Sequence, residues 1–159
     1  MQTLHDLLKA RFAMASQDLD RVLNRLTDTD LPWAPIEGMR TVAGQLLEIA
    51  NKEKEGLVWL REGVWPDGGP DAFDPETATL EKIKVALKSL RADTFAYIDS
   101  LSEAELGELM RSPERWWEAL RLEQCPKSEV LRNIAAHEWY HTGQLITYLW
   151  LRGDNPYKW

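Results

Sequence analysis

Apolar residues recur along this chain at steps of three and four, and the recurrence divides it into four long amphipathic segments. Residues 4 to 26 place Leu8, Phe12, Ala15, Leu19, Val22 and Leu26 on one stripe, the spacing of a helix with about 3.6 residues per turn. The stretch TDTDLPWAPIEGMR then sets two prolines and a glycine among polar residues, which predicts a loop. Thr41 suits an N-cap, and a second helix is predicted from Val42 to Arg61, with Val42, Leu46, Ile49, Ala50, Leu57 and Leu60 on its apolar side.

Residues 63–74, GVWPDGGPDAFD, form the most Gly- and Pro-rich stretch. It ends with Asp74 as the expected N-cap and Pro75 at the first helical position of a third helix, which carries Leu80, Ile83, Leu87, Leu90, Thr94, Ile98 and Leu101. Ser102 and Glu105 have capping-box spacing and predict a short helix through Met110. RSPERWWEALRLEQCPK is less periodic and reads as a covering loop with one helical turn. The last helix is expected from Ser128 to the point where Gly153 offers a C-terminal cap and Pro156 forbids continuation.

No segment alternates with period two, so the fold class is all-α. Four stripes are buried most simply in a four-helix bundle, a single domain over residues 1–159. The Gly/Pro loop and the stretch around Trp116 are long enough to be crossover connections.

Charge narrows the range of partners. Nineteen basic against 26 acidic residues leave a net charge of -7, which repels phosphate backbones and anionic lipid, so neither nucleic acid nor a membrane surface is expected as a partner. The opening MQTLHDLLKARF lacks the pattern of a signal peptide, and no run approaches the roughly 18 apolar residues of a membrane span. A cytoplasmic protein acting on small molecules or proteins is the expectation. Cys125 is the single cysteine and can form no intrachain disulfide. Its one close basic neighbour in sequence is Lys127, so a reactive thiol is not expected.

Chemistry enters on the last helix. Its core stripe reads Val130, Ile134, 137, 141, Leu145, Tyr148, and both 137 and 141 are histidine. Imidazoles four residues apart face the same way and can reach one metal ion, although two independent core histidines would read identically. His5 stands alone near the N-terminus and is expected to be inert. His137-Glu138-Trp139-Tyr140-His141 also satisfies the H-E-x-x-H pattern of zinc metalloproteases, whose glutamate is a general base. No His or Glu follows His141 to supply their third ligand, so that reading is the weaker one, and Glu138 lies about 100° round from the histidine face.

A carboxylate or imidazole from a facing helix should complete a metal site, and the second helix offers Glu48 and Glu53. Periodicity favours Glu53, which lies nearer the middle of the apolar stripe, or else both glutamates are surface charges.

HEWYHTGQL at 137–145, TVAGQLLEIANKE at 41–53 and the ending around Gly153 and Pro156 resemble the DinB/YfiT-like superfamily of metal-binding four-helix bundles. The resemblance spans nearly the whole chain. It implies one divalent ion, most often zinc or nickel, held by three side chains with open positions for water or substrate. Its two last-helix histidines carry over to His137 and His141, and its helix-two histidine falls on Glu48, a departure that makes the implied ligand set Glu48, His137 and His141. Thr142 is a second departure, since arginine is frequent there in relatives. Some relatives resemble S-transferases using a low-molecular-weight thiol, others hydrolases.

Three further readings complete the expectations. Gly143 lets the second helix approach and Gln144 orients a ligand or water, or else Gly143 is a helical glycine with no functional reason. Trp139, Tyr140, Trp116 and Trp117 wall an apolar pocket over the metal, or else belong to the core or a homodimer face. Against a metal-dependent enzyme stands a non-catalytic bundle in which metal is structural or absent.

Overall fold

Thr3 opens the first helix with a full capping box, its hydroxyl accepting from the Asp6 amide while the Asp6 carboxylate accepts from the Thr3 amide. In the computed structural model, which describes residues 2–66, 68–112 and 121–159, α1 spans Leu4–Leu23, α2 Val42–Glu62, α3 Leu80–Ser100, the short α4 Glu103–Leu106, and α5 Lys127–Leu151. Thr41 caps α2 as expected, its hydroxyl accepting from the Gly44 amide at 3.0 Å. Gly63 ends α2 at φ +74°, where a side chain would strain the backbone. α5 packs along α1 and α2, and α3 closes the bundle against α2.

Two details differ from the sequence reading. α3 begins at Leu80, not at Pro75, because Asp74 spends its carboxylate on an isolated turn, accepting from the Glu76 amide at 2.9 Å and the Thr77 hydroxyl at 2.8 Å. Thr79 then caps the helix proper. The capping box at Ser102 and Glu105 forms, but its helix stops at Leu106, and Met110 instead lies in a two-stranded antiparallel sheet. There β1, Leu109–Arg111, pairs with β2, Gln124–Pro126, setting Met110 opposite Cys125. Strands of this length show one buried residue each, too little alternation to register as a pattern.

The core falls into two apolar clusters stacked along the bundle. One gathers Leu19, Val22, Leu46, Ile49, Ile83, Leu145 and Leu149. The other gathers Phe12, Trp59, Ile98, Leu106, Leu131 and Ile134. On every long helix the break between them is polar, with Ser16 on α1, Glu53 on α2, Arg91 and Thr94 on α3, and Glu138, His141 and Thr142 on α5. A polar layer thus crosses the bundle at mid-height, and it positions the site.

Candidate metal centre

The two histidines meet on the α2 side of α5. His141 is buried, His137 is half-buried, and their Nε2 atoms are 3.2 Å apart. His141 is held from behind, its Nδ1 lying 2.6 Å from Gln45 Oε1. The Gln45 amide nitrogen donates to Tyr148 Oη at 3.1 Å, and that hydroxyl donates to the Arg40 carbonyl at 3.0 Å. Because Gln45 uses its N–H on tyrosine, its oxygen must accept from His141 Nδ1–H. The relay therefore leaves the His141 Nε2 lone pair directed at His137, which is how second partners orient metal-binding imidazoles. Burial depresses the His141 pKa below the ordinary imidazole value, with Glu48 pulling the other way.

Glu48 reaches the same point from α2. One ligand atom each from Glu48, His137 and His141 lie within 4.8 Å of one another, a convergence of three metal-ligand side chains among the described residues. The fit to an ion can be tested on the imidazoles. Two nitrogens at about 2.05 Å from a tetrahedral zinc stand roughly 3.3 Å apart, and the observed separation is 3.2 Å. Gln144 adjoins His141, close enough for its side chain to oppose the effect of burial on that ring. The residues fit a divalent ion. Glu48 is the member with a competing partner, since Arg40 Nη2 holds its Oε1 at 2.8 Å.

Glu53 does not join them. It is buried, as its place in the stripe implies, but its partner is Arg91, whose Nε and Nη2 donate to its two oxygens at 2.9 and 3.1 Å. Thr94 Oγ1 adds a third bond at 2.5 Å. Arg91 also donates to the Glu138 carboxylate, to Ser16 Oγ and, at 3.4 Å, to the Phe12 carbonyl. Glu138 accepts from Ser16 Oγ at 3.2 Å as well. Its carboxyl is turned into the polar layer, away from the histidines, so the general-base place that H-E-x-x-H would give it finds no geometric support. Burial raises the Glu138 pKa, with Arg91 opposing and Glu53 reinforcing the shift. Sequence periodicity missed this layer, placing Glu138 off the histidine face but not inside the bundle. A cleft of about 600 Å³, lined by Ser16, Leu19, Leu87, Arg91, Phe95 and Glu138 among others, opens onto the layer between α1 and α3.

The remaining expectations divide. Tyr140 lies edge-on to His141, with ring centroids 5.1 Å apart, but is largely exposed. Trp139 lines a small depression with Arg11, Met14 and Ala15 on the α1 side, not a wall over the histidines. Trp116 and Trp117 lie outside the described residues. A Cβ on Gly143 would meet nothing within 4 Å, so Gly143 admits no helix. The close approach is at Gly56, where a Cβ would stand 2.5 Å from Ile134 Cδ1. Thr142 is fully buried. His5 stands apart from the other two histidines and has a structural part, its Nε2 bonding the Leu101 carbonyl at 2.7 Å and tying α1 to the end of α3. Cys125 is free and buried, and burial raises its thiol pKa.

Fold and site together define a helical bundle with a His2Glu cluster of metal-ligand type between its second and last long helices. The family model of the DinB superfamily matches residues 11–145, and the chain belongs to that superfamily. No curated protein matches it significantly. No helix among the described residues is long and apolar enough to cross a membrane.

Proposed function

We propose that Glu48, His137 and His141 hold one divalent ion, zinc or nickel, and that the protein is a metal-dependent enzyme acting on a small molecule. The reaction is of thiol S-transferase or hydrolase type, the first with a low-molecular-weight thiol of the cytoplasm as co-substrate. The observation that carries this reading is the convergence of the three ligand atoms, with the His141 lone pair aimed by Gln45. A divalent ion here would supply Lewis acidity, lowering the pKa of a coordinated water or substrate thiol toward neutrality. The chain's own contribution is orientation. Gln45 and Tyr148 keep His141 in one tautomer, and burial of His141 favours its neutral form, which is the one that binds metal. A homodimer through the α1/α5 face that exposes Met14 and Trp139 belongs to the same proposal, and sedimentation analysis tests it.

One observation favours a second reading. Arg40 already neutralises Glu48, as a non-catalytic bundle without an ion would require. Elemental analysis of protein purified without chelator, beside His137→Ala and His141→Ala, separates the two. About one equivalent in wild type, lost in both variants, is expected; equal metal content in all three proteins refutes the site.

A further inference from the structure

We propose that Arg40 is the anion-recognising group of this site: its guanidinium pairs with Glu48 in the metal-free protein and passes to the carboxylate of an anionic substrate once Glu48 turns to the ion. The inference rests on the metal reading above and adds a substrate class to it.

Arg40 is placed with more care than a surface cation needs. Its carbonyl accepts from Tyr148 Oη at 3.0 Å, and Tyr148 is the end of the relay that orients His141. The backbone carrying the guanidinium and the imidazole ligand are therefore fixed by the same side chains. The head reaches Glu48 at 2.8 Å yet keeps 56% of its side chain exposed, so it can change partners without unfolding anything.

The electrostatics then point one way. One carboxylate cannot serve a guanidinium and a divalent ion at full strength, so ion entry weakens the Arg40 pair. Two neutral imidazoles and a single carboxylate leave a divalent ion only half neutralised, and Arg40 adds positive charge beside it. A neutral substrate gains nothing from that charge, whereas a carboxylate gains from both the ion and the planar guanidinium fork that matches its two oxygens. Metal and carboxylate should consequently bind cooperatively, and the coupling must be reciprocal.

The test is cobalt(II) affinity by chelator competition for wild type, Arg40→Gln and Arg40→Lys, with and without acetate as the probe. Without acetate, Arg40→Gln should bind cobalt about two- to fivefold more tightly, because an ion pair that competes for Glu48 is gone. Acetate should tighten cobalt binding about fivefold in wild type, most of that gain vanishing in Arg40→Gln and part surviving in Arg40→Lys. Arg40→Gln matching wild type in both arms overturns the proposal, as does weaker cobalt binding, which would mean that Arg40 merely props Glu48. Wild type that takes up no cobalt is a different result: it removes the metal reading itself and this inference with it.

Discussion

Arg91→Met should destabilise the protein by about 3 kcal/mol at pH 7, and the loss should shrink on acidification. Every guanidinium N–H of Arg91 has an acceptor, and three of the five bonds go to the carboxylates of Glu53 and Glu138, whose side chains are each only 2% exposed. Methionine keeps an apolar stem of similar length but removes the charge, and with it the guanidinium that lies over the Phe12 ring, its carbon 4.5 Å from the ring centroid. Breaking a buried ion pair by deleting one partner typically costs about 3–5 kcal/mol; the lower end applies because Arg91 itself is 16% exposed. The two carboxyls left behind would have folded-state pKa values raised above their unfolded ones, so the folded variant binds protons more tightly and loses stability as pH rises through those values. Each pH unit below them restores about 1.4 kcal/mol per carboxyl. Urea unfolding followed by far-UV circular dichroism at pH 5, 6, 7 and 8 measures this. Adding Glu53→Gln and Glu138→Gln to Arg91→Met should recover most of the loss at pH 8. A loss under about 1 kcal/mol, or one that does not change between pH 5 and 8, would refute the polar layer as a buried charge cluster.

Glu138→Gln should cost less than Glu53→Gln, because the raised pKa of Glu138 marks it as the carboxyl in excess over the one guanidinium. Wild type loses stability as pH rises through that pKa and Glu138→Gln does not, so their unfolding curves should converge or cross toward alkaline pH. Gly56→Ala should cost about 1–3 kcal/mol by pressing on Ile134, and the double variant with Ile134→Val should be milder than additivity predicts. Gly143→Ala, where a Cβ meets nothing, should stabilise by up to about 1 kcal/mol in the same assay. Metal-free protein should lose stability as pH falls below the ordinary imidazole pKa of about 6.5, since the depressed value for His141 means that the folded state resists the proton that the unfolded chain accepts; His141→Asn should flatten that part of the profile.

The helices were legible because burial in a bundle is periodic. Leu8, Phe12, Ala15, Leu19, Val22 and Leu26, six residues of one written stripe, are all buried, and capping residues at 41 and 102 act as their chemistry dictates. What failed was local competition. Asp74 has the side chain of an N-cap, and Pro75 the φ of a first turn, but neither says whether a helix propagates, and here the turn closes on itself before Thr79 starts again. β1 and β2 are held by pairing between segments well apart in the chain, with Met110 and Cys125 opposed and inside, and no local pattern carries that information.

The choice between Glu48 and Glu53 shows why the site was harder to read than the fold. A stripe identifies what is buried, and it identified Glu53 correctly. A buried carboxylate needs a counter-charge at once, however, and Arg91 on α3 supplies it with a bidentate grip, while Glu53 stays outside the cluster formed by Glu48 and the histidines. A metal ligand must instead stand where solvent can deliver the ion and where its interim partner can let go. Glu48 meets both conditions, being 38% exposed and bound to an arginine that is itself more exposed than buried. The same reasoning separates the neighbours on α5: His141 lies at the edge of the polar layer, while Glu138 is drawn into its centre by Arg91 and Ser16. Periodicity finds the layer. Which of its polar residues stay free to bind is decided by the charges on the other helices, and an arginine on α3 sets that outcome for two glutamates on two different helices.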